Sequence, residues 1–333
     1  MGGRLKLRRG VVVATEPLTV EVDGERRPAW ADEALLGEMR EGDEVVVNVA
    51  ALDLGLGSGG FDVVHVNLTR GLGGGVEGDV HVMKLNYTSL QHPVQPVEEV
   101  AAGERPSVPV LVLPLHGHLA PAAWAAAQVA PDLRVGYVQT GGGALPGSFS
   151  KDVEKLRERG LLCGHITAAP AYGGDHEAIS TVGAIDAARR LGWDAILVGP
   201  GPGIIGSDTE LGHGGMTALG SAHAALSLGL PTLISPRLST SDPRDRHRGL
   251  SHHTRTVLNL LLAPVDVAVP EDAAEIAAEL TTTDHRVQLC SADCEGYATS
   301  GLPTRTMGRT LAEDRLFFES PLAAGTLLAR VAR

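Results

Sequence analysis

The distribution of apolar residues changes near residue 108, and this change limits the folds that the chain can adopt. Before it, short Val-rich runs of alternating polarity, such as "GVVVAT" and "DEVVVNVAA", are separated by turn sequences such as "VDGE" and "LGSGG". After it, continuous apolar runs such as "VPVLVLPL" and "DAILVGP" alternate with helical segments such as "APAAWAAAQVA". Strands that are apolar on both faces and alternate with helices are typical of a parallel sheet covered by helices.

We therefore predict an α/β protein with two parts. Residues 1–100 are expected to form an N-terminal small antiparallel β domain, either a small barrel or a split sheet. Residues 108–333 are expected to form a Rossmann-like open parallel sheet with helices on both faces, followed by a C-terminal helical tail. The segment 93–109, rich in Pro and Glu, is expected to connect the two.

Composition and charge narrow the range of partners. The net charge of −12 argues against general binding to nucleic acids or to anionic membranes. The apolar runs are all shorter than the roughly 18 residues of a membrane span, and Cys163, Cys290 and Cys294 do not form a disulfide framework. We expect a cytoplasmic protein. The aromatic content of 3% limits the core of a monomer, so we also expect a homodimer.

The segments that follow the apolar strands of the second part are long and rich in Gly, His, Arg and Asp. In an open parallel sheet, ligands bind beyond the carboxyl ends of the strands, where these segments lie. The connections at the opposite edge, such as "GLL" and "LGW", are short and plain. A functional site is therefore predicted among five loops: "LHGHLAP", "QTGGGALPGSFS", "APAYGGDHEA", "GPGPGIIGSDTELGHGG" and "SPRLSTSDPRDRHRGLSHH".

The last of these loops predicts an anion-binding site. Ser251 stands at the expected N-cap of the helix "HHTRTVLNLLLA", whose first turn attracts anions. Arg244, Arg246 and Arg248 precede it and offer planar donors suited to phosphate or carboxylate. Gly201, Gly203 and Gly206 are expected to join this site, as are the loops "GGGALP" and "GGDHEA". The alternative is a solvated turn in which Asp242 and Asp245 pair with the arginines.

Three residues are candidates for catalysis. The positive field of the helix terminus and of the arginines should keep His252 and His253 neutral, so that either ring can act as a base or a hydrogen-bond partner. Asp175 is expected to orient a partner group, and it is also the expected N-cap of the helix that follows it. The substrate or ligand is expected to be a small anionic molecule.

The sequence leaves the cofactor open. Gly201, Gly203 and Gly206 match the dinucleotide pattern G-x-G-x-x-G, but nine further residues precede the next helix, which favours a permissive loop over a nucleotide site. Several of the 13 histidines could converge on a divalent metal, although they lack a spacing such as H-E-x-x-H. Neighbouring helical residues point about 100° apart, so His252 and His253 are not expected to share one ion easily.

Four motifs carry a resemblance to a known family: "GGGALP", "GGDHEAISTVGAIDAAR", "GPGPGIIGSDTELGHGG" and "DPRDRHRGLSHHTRTVL". Together with "DVVHVNLTRGLG" and "VMKLNYTSLQ" in the first part, they resemble the bacterial domain-of-unknown-function family 3866. The resemblance implies a compact intracellular protein in two parts, and it brings no assigned reaction, cofactor or catalytic residue to this chain. His176 departs from the family pattern, which has an apolar residue there, so Asp175 is the better candidate.

Three hypotheses of function remain from the sequence. The first is an enzyme that acts on a small anionic metabolite or nucleotide, held by Arg246 and Arg248. The second is a non-catalytic ligand-binding or regulatory protein with the same anion pocket. The third is an assembly protein whose histidine-rich loops form a subunit interface. We rank the enzyme first, with the reaction type undetermined.

Overall fold

The computed structural model of the protein describes residues 4–56, 59–75 and 80–333. The chain divides into two compact units, of which the first ends at Val80 and the second begins at His81. No helix within the described ranges combines the length and apolarity that crossing a bilayer requires. The expected domains, residues 1–100 and 108–333, stay a prediction about the organisation of the chain.

The first unit is a small closed barrel in the order β1-β2-β3-β5-β4, with β4 paired back to β1. All pairs are antiparallel except β3 with β5. Inward valines such as Val20, Val45 and Val47 are fully buried, as the alternating sequence predicts. Its strands are β1 (Leu7–Thr15), β2 (Leu18–Val22), β3 (Glu25–Trp30), β4 (Glu44–Asn48) and β5 (Asp62–Asn67), and its helices are α1 (Glu33–Leu36) and α2 (Ala50–Asp53).

The second unit contains a large sheet and three short two-stranded ribbons. Its strands are β6 (Val82–Lys84), β7 (His92–Val94), β8 (Val110–Val112), β9 (Val135–Thr140), β10 (His165–Ala168), β11 (His176–Ala178), β12 (Ala195–Pro200), β13 (Thr232–Ile234), β14 (Leu238–Ser239), β15 (Gly249–Leu250), β16 (Asp266–Pro270), β17 (Arg286–Cys290), β18 (Arg305–Thr306) and β19 (Arg309–Thr310).

The large sheet has the order β11-β10-β9-β12-β8-β13-β16-β17, and every neighbouring pair is parallel. Its strands alternate their apolar side chains between the two faces of the sheet. Leu111 and Leu197 face one core, whereas Val112 and Val198 face the other side. Helices cover both faces, so the predicted fold class, a small antiparallel β domain followed by a Rossmann-like parallel sheet, is confirmed.

The helices of the second unit follow the predicted alternation with strands. They are α3 (Val97–Val100), α4 (Leu119–Val129), α5 (Lys151–Glu158), α6 (Thr181–Arg190), α7 (Thr217–Ser227), α8 (His252–Leu260), α9 (Ala274–Leu280), α10 (Cys294–Thr299) and α11 (Arg315–Val331). The C-terminal helix α11 packs closely on α4, because a Cβ atom on Gly325 would overlap the carbonyl oxygen of Ala122. The tail therefore belongs to the core of one face of the sheet.

The sequence prediction was wrong at the start of α6. Residues 176–178 form the edge strand β11, and the helix begins only at Thr181. Its N-cap is Ser180, whose side chain accepts a hydrogen bond from the backbone N–H of Gly183. Asp175 is not a helix cap. Its carboxylate instead accepts the backbone N–H of His165 at 3.0 Å, which fixes the chain just before the extra strand.

Candidate functional site

The topology places three loops together at the centre of the sheet. The strand β8 lies between β12 and β13, so the chain crosses over β8 on its way from β12 to β13. Beyond the carboxyl ends of these three strands lies a cavity of about 530 Å³ within the second unit. A crevice at a point where strand order reverses is the usual ligand site of open α/β sheets.

The wall of this cavity combines cationic, imidazole and apolar groups. The loop after β8 contributes His116, the loop after β12 contributes residues 202–207, and the C-terminal region closes the other side with Tyr297 and Phe318. The cationic and imidazole side chains on the wall are Arg237, Arg244, Arg246, Arg305, His116, His247 and His253. Asp152 also lines the cavity. Cations therefore outnumber carboxylates on the wall.

A buried ion-pair network holds the arginines in place. Asp242 is fully buried and accepts hydrogen bonds from Arg237 at 3.0 Å and from Arg244 at 2.9 Å. Burial opposes its charge, yet the hydrogen bonds from Arg244 hold the pKa of Asp242 far below its usual range. Burial lowers the pKa of Arg237 to about 10, which leaves it charged near neutral pH. Arg309 also approaches Asp242, at 3.4 Å.

The three arginines predicted to bind an anion all have carboxylate partners. Arg244 pairs with the buried Asp242, Arg246 with Asp208 at 2.6 Å, and Arg248 with Asp245 at 3.1 Å. Arg244 and Arg246 line the cavity, whereas Arg248 does not. The predicted alternative, in which aspartates neutralise the loop, is thus partly realised. Arg237, directly after β13, is a cavity residue that the sequence prediction of the anion site left out.

Four histidines form a compact group, which we call the histidine cluster: His213, His247, His252 and His253. The rings of His213 and His253 stack with their centroids 3.5 Å apart and their planes 9° from parallel. The ring of His252 lies 4.4 Å from that of His253, and the ring of His247 lies 4.7 Å from it. The cluster joins the loop after β12 to the loop after β13 and to the first turn of α8.

The histidines of the cluster are held in their neutral form. Burial lowers the pKa of each ring, and the positive charge of Arg237 lowers it further. For His247 the pKa falls to about 3. The prediction that His252 and His253 stay neutral rested on the positive field, and the structure adds burial as the larger cause. Neutral rings can accept a proton or ligate a metal.

Three rings of the cluster are arranged closely enough to share an ion. One nitrogen from each of His213, His252 and His253 lies within 4.8 Å of the other two. The sequence led us to expect that His252 and His253 would not easily face one ion, yet one nitrogen of each lies this close to the other. Their ring centroids are 4.4 Å apart, and His213 approaches from a separate loop.

The N-terminus of α8 is capped by the chain itself. Ser251 is the N-cap as predicted, and its hydroxyl oxygen accepts the backbone N–H of His253. The same hydroxyl lies 2.7 Å from Nδ1 of His247. Ser251 is fully buried and is not part of the cavity wall. Its position therefore organises the histidine cluster, and its predicted contact with an anion stays a prediction.

The glycine motif forms a tight loop and does not lead into a helix. Gly203 and Gly206 line the cavity, whereas Gly201 packs against the loop after β9, where a Cβ atom would overlap the carbonyl oxygen of Ala144. The next helix, α7, begins only at Thr217. The pyrophosphate of a dinucleotide normally sits at the helix N-terminus directly after such a motif. The geometry favours the permissive loop.

Asp175 lies outside the central cavity. It lines a second cavity of about 370 Å³, where it pairs with Arg157 at 2.8 Å. The loops "GGGALP" and "GGDHEA" were expected to line one pocket with the arginine loop, and they do not line the central cavity. The reason is the lateral order of the sheet, which puts β9, β10 and β11 on the far side of β12 from β8.

A second pair of histidines follows β8. His116 lies 2.8 Å from the hydroxyl of Ser150 and 3.8 Å from the carboxylate of Asp152. His118 is fully buried against the hydroxyl of Ser235, and burial, with a smaller effect of Arg237, lowers its pKa to about 3. Both belong to the first loop predicted to form the site, but they were not named as site residues. Only His116 of the two lines the central cavity.

A comparison of the sequence with family models gives one match. Residues 28–325 match the model described as "Protein of unknown function (DUF3866)". The chain belongs to the DUF3866 family. The resemblance inferred from the four motifs is thereby confirmed. No curated protein and no solved structure matches the chain. In this DUF3866 protein, the cavity and the histidine cluster are the features that bear on function.

Proposed function

We propose that the protein is an enzyme that acts on a small metabolite bearing a phosphate or carboxylate group, which binds in the central cavity. The observation that carries the proposal is that Arg237, Arg244 and Arg246 meet His253 on the wall of one cavity. Guanidinium groups are planar donors that suit both anions. Perturbed titratable groups in a cleft at the carboxyl ends of strands are typical of active sites.

The ion pairs of the arginines leave capacity for a ligand. Asp208, the partner of Arg246, is almost wholly exposed. An exposed pair of this kind contributes about 0–1 kcal/mol, so an entering anion can replace the aspartate. The Nε atoms of Arg237 and Arg246 are buried, and among the described residues they have no hydrogen-bond partner. Such donors are normally satisfied in a folded protein, and an anion in the cavity would provide the acceptor.

The proposal assigns the chemistry to the histidine cluster. His253 lines the cavity, and the ring of His252 contacts the ring of His253. We therefore keep both residues as candidates for catalysis. Gly203 and Gly206 also line the cavity. Asp175, Arg248, Ser251 and Gly201 do not line the cavity, and the proposal does not include them.

Calorimetry with inorganic phosphate, pyrophosphate and citrate tests the anion site. The parent is expected to bind at least one of these probes, and Arg246→Ala to bind it about 10- to 100-fold more weakly, the loss of a charge-assisted hydrogen bond. The matched control is Arg255→Ala, because Arg255 pairs with Glu279 away from the cavity. Equal binding by the parent and Arg246→Ala, or no binding by either, contradicts the proposed anion site.

Turnover requires a separate experiment. The protein is incubated with a mixture of phosphate- and carboxylate-bearing metabolites, and mass spectrometry measures which compounds are consumed. Consumption by the parent that is lost in His253→Ala supports an enzyme. Binding without consumption contradicts the enzyme and favours the non-catalytic ligand-binding or regulatory alternative.

We further propose that the protein works in the cytoplasm as a homodimer. In support of a reducing compartment, Cys163, Cys290 and Cys294 are all free thiols. Burial raises the pKa of each thiol and keeps it protonated. Light scattering tests the assembly, and a particle mass equal to that of one chain across micromolar concentrations contradicts the dimer.

A further inference from the structure

We propose that His213, His252 and His253 bind a divalent transition-metal ion, of which Zn²⁺ is the ion to test. The inference goes beyond the proposed function, because the arginines could hold an anion with or without a metal. It also specifies one contribution of the cluster to the chemistry, which is metal ligation.

The first argument is the convergence of three imidazoles from two separate segments. The ligand nitrogens of the three residues all lie within 4.8 Å of one another. Tetrahedral Zn²⁺ with bonds of about 2.1 Å holds its ligand atoms about 3.4 Å apart, so the rings must move closer together. The stacked ring of His213 or His253 must also turn, so that the lone pairs of both rings point at the ion. His213 comes from the loop after β12, and the other two come from α8. The fold thus brings together three potential ligands whose spacing in the sequence does not predict a metal site.

The second argument is the orientation of His213. Its Nε2 lies 3.0 Å from the carbonyl oxygen of Glu210. A carbonyl oxygen can only accept, so Nε2 carries the proton and Nδ1 carries the lone pair. A metal-ligating histidine usually donates its other N–H to a carbonyl or carboxylate in this way, which fixes the tautomer. His213 is 6% exposed, and the arrangement presents its Nδ1 as a ligand.

The third argument is that ring nitrogens in the cluster lack partners. Nδ1 of His213 and Nε2 of His252 are both buried and have no hydrogen-bond partner among the described residues. Buried polar atoms in native proteins nearly always have a partner. A metal ion between the rings would satisfy both nitrogens at once.

The charged groups around the cluster affect how a metal ion and an anion bind together. Arg237, Arg244 and Arg246 oppose a dication, whereas the buried Asp242 favours it. Three histidines leave a coordination position open. Since His253 lines the cavity, an anion held by the arginines can reach an ion bound by His253. Metal and anion are therefore expected to strengthen each other's binding, since each offsets the charge of the other.

The donor set selects the class of metal. It consists of neutral imidazoles, with neither a thiolate nor a carboxylate among the three ligands. Mg²⁺ and Ca²⁺ prefer oxygen ligands, while imidazole suits Zn²⁺, Cu²⁺, Ni²⁺ and Fe²⁺. Binding is therefore expected to be strong for Zn²⁺ and absent for Mg²⁺ at comparable concentrations.

Zn²⁺ titration of the full chain tests the site without relying on activity. Protein without an affinity tag is stripped with a chelator and titrated with Zn²⁺ in competition with a chromophoric chelator. The parent is expected to bind one ion per chain, and His213→Ala and His252→Ala to bind at least about 100-fold more weakly, since even the loss of an outer partner costs 10- to 100-fold. The matched control, His223→Ala on α7, removes a histidine outside the cluster and is expected to bind Zn²⁺ as the parent does.

Two further measurements keep the test decisive if an alanine variant unfolds. A Cβ atom on Gly215 would lie 3.0 Å from Nδ1 of His213 and 3.3 Å from Nδ1 of His253, so Gly215→Ala should weaken Zn²⁺ binding with every histidine retained. The Co²⁺-loaded parent should show the intense visible absorption of a low-coordinate nitrogen site. A parent that binds Zn²⁺ no more tightly than the His213 and His252 variants, or Co²⁺ bound only with the spectrum of the hydrated ion, overturns the inference. Phosphate binding by the stripped protein, lost in Arg246→Ala, would uphold the anion site even then.

Discussion

The imidazole of His213 stacks on that of His253, with the ring centroids 3.5 Å apart. The first residue follows β12 and the second lies on α8, so the contact ties together the two segments that border the central cavity. Two charged rings could not lie so close in a buried site, and burial keeps both neutral by lowering the pKa of each. The stability of this region therefore depends on the charges and caps around the stack.

The first prediction concerns Asp242. Asp242→Asn leaves the buried Arg237 without a carboxylate partner, so the free energy of unfolding should fall by about 3–5 kcal/mol. Urea denaturation measures the change. Asp245→Asn is the matched control in the same loop, because Asp245 is exposed and pairs with the exposed Arg248, and it should have little effect. Similar losses in the two variants would show that the buried network is not a main source of stability.

The second prediction concerns acid. Burial lowers the pKa of His118 to about 3 and that of His165 to about 4, against an ordinary value of 6.5. Below pH 6.5 these two histidines therefore bind protons in the unfolded chain but not in the folded chain. The free energy of unfolding falls as the pH decreases, until the pH reaches the pKa values of the folded state. When the pH is lowered from 7.5 to 5.0, each ring should decrease the free energy of unfolding by about 2 kcal/mol.

A variant isolates the contribution of His118. The amide of His118→Asn can still bond Ser235 but does not titrate, so its loss of stability between pH 7.5 and 5.0 should be about 2 kcal/mol smaller than that of the parent. Denaturation at a series of pH values measures this difference. His81→Asn, at an exposed histidine, is the matched control for the substitution itself. An unchanged slope in His118→Asn would show that this ring is not buried in its neutral form.

The third prediction uses two helical glycines with opposite surroundings. Gly325→Ala introduces a Cβ atom against the backbone of Ala122 and should destabilise the fold by about 1–3 kcal/mol. Among the described residues, a Cβ atom on Gly220 of α7 would meet no atom within 4 Å beyond its own turn of helix. Gly220→Ala should therefore stabilise the fold by up to about 1 kcal/mol through helix propensity. Thermal unfolding compares the two. Equal shifts of the midpoint would argue against close packing of α11 on α4.

The fourth prediction compares two of the serine N-caps, Ser251 and Ser180. Ser251→Ala removes an acceptor for the N–H of His253 and a partner of His247, so it should cost about 2 kcal/mol or more. Ser180→Ala removes an exposed cap of α6 and should cost about 1 kcal/mol. Equilibrium denaturation of both variants gives the difference. If Ser251→Ala loses no more stability than Ser180→Ala, the hydroxyl of Ser251 does not stabilise the histidine cluster.

The sequence predicted much of the fold because periodicity is a local property. Runs such as "AILVGP" have no polar side chain, and this run is a strand buried on both faces in the structure. The cap at Ser251 was equally local, since it depends on one hydroxyl and on the backbone N–H two residues further along the chain. Asp175 was wrong as a cap because three residues, His176–Ala178, add to the edge of the sheet before the helix starts, and nothing in their own sequence marks them as a strand.

The site could be predicted only in outline, because its composition depends on the lateral order of strands. The carboxyl-end rule gave five loops, but β12 separates the loop "GGDHEA" from the arginine loop. The approach of His213 to His252 and His253 is a long-range contact between loops of two different strands. Which carboxylate each arginine pairs with also depends on burial, which the sequence does not show: Asp242 is buried, whereas Asp245 is exposed.

The central position of β8 has a consequence for biosynthesis. This strand leaves the ribosome first among those of the large sheet, yet its neighbours β12 and β13 begin only at Ala195 and Thr232. Until they emerge, the nascent chain exposes Val110, Leu111 and Val112 with both hydrogen-bonding edges unpaired. A chain arrested before Thr232 would therefore present an unpaired, aggregation-prone strand edge to chaperones and proteases. It would also lack the residues that form one wall of the cavity.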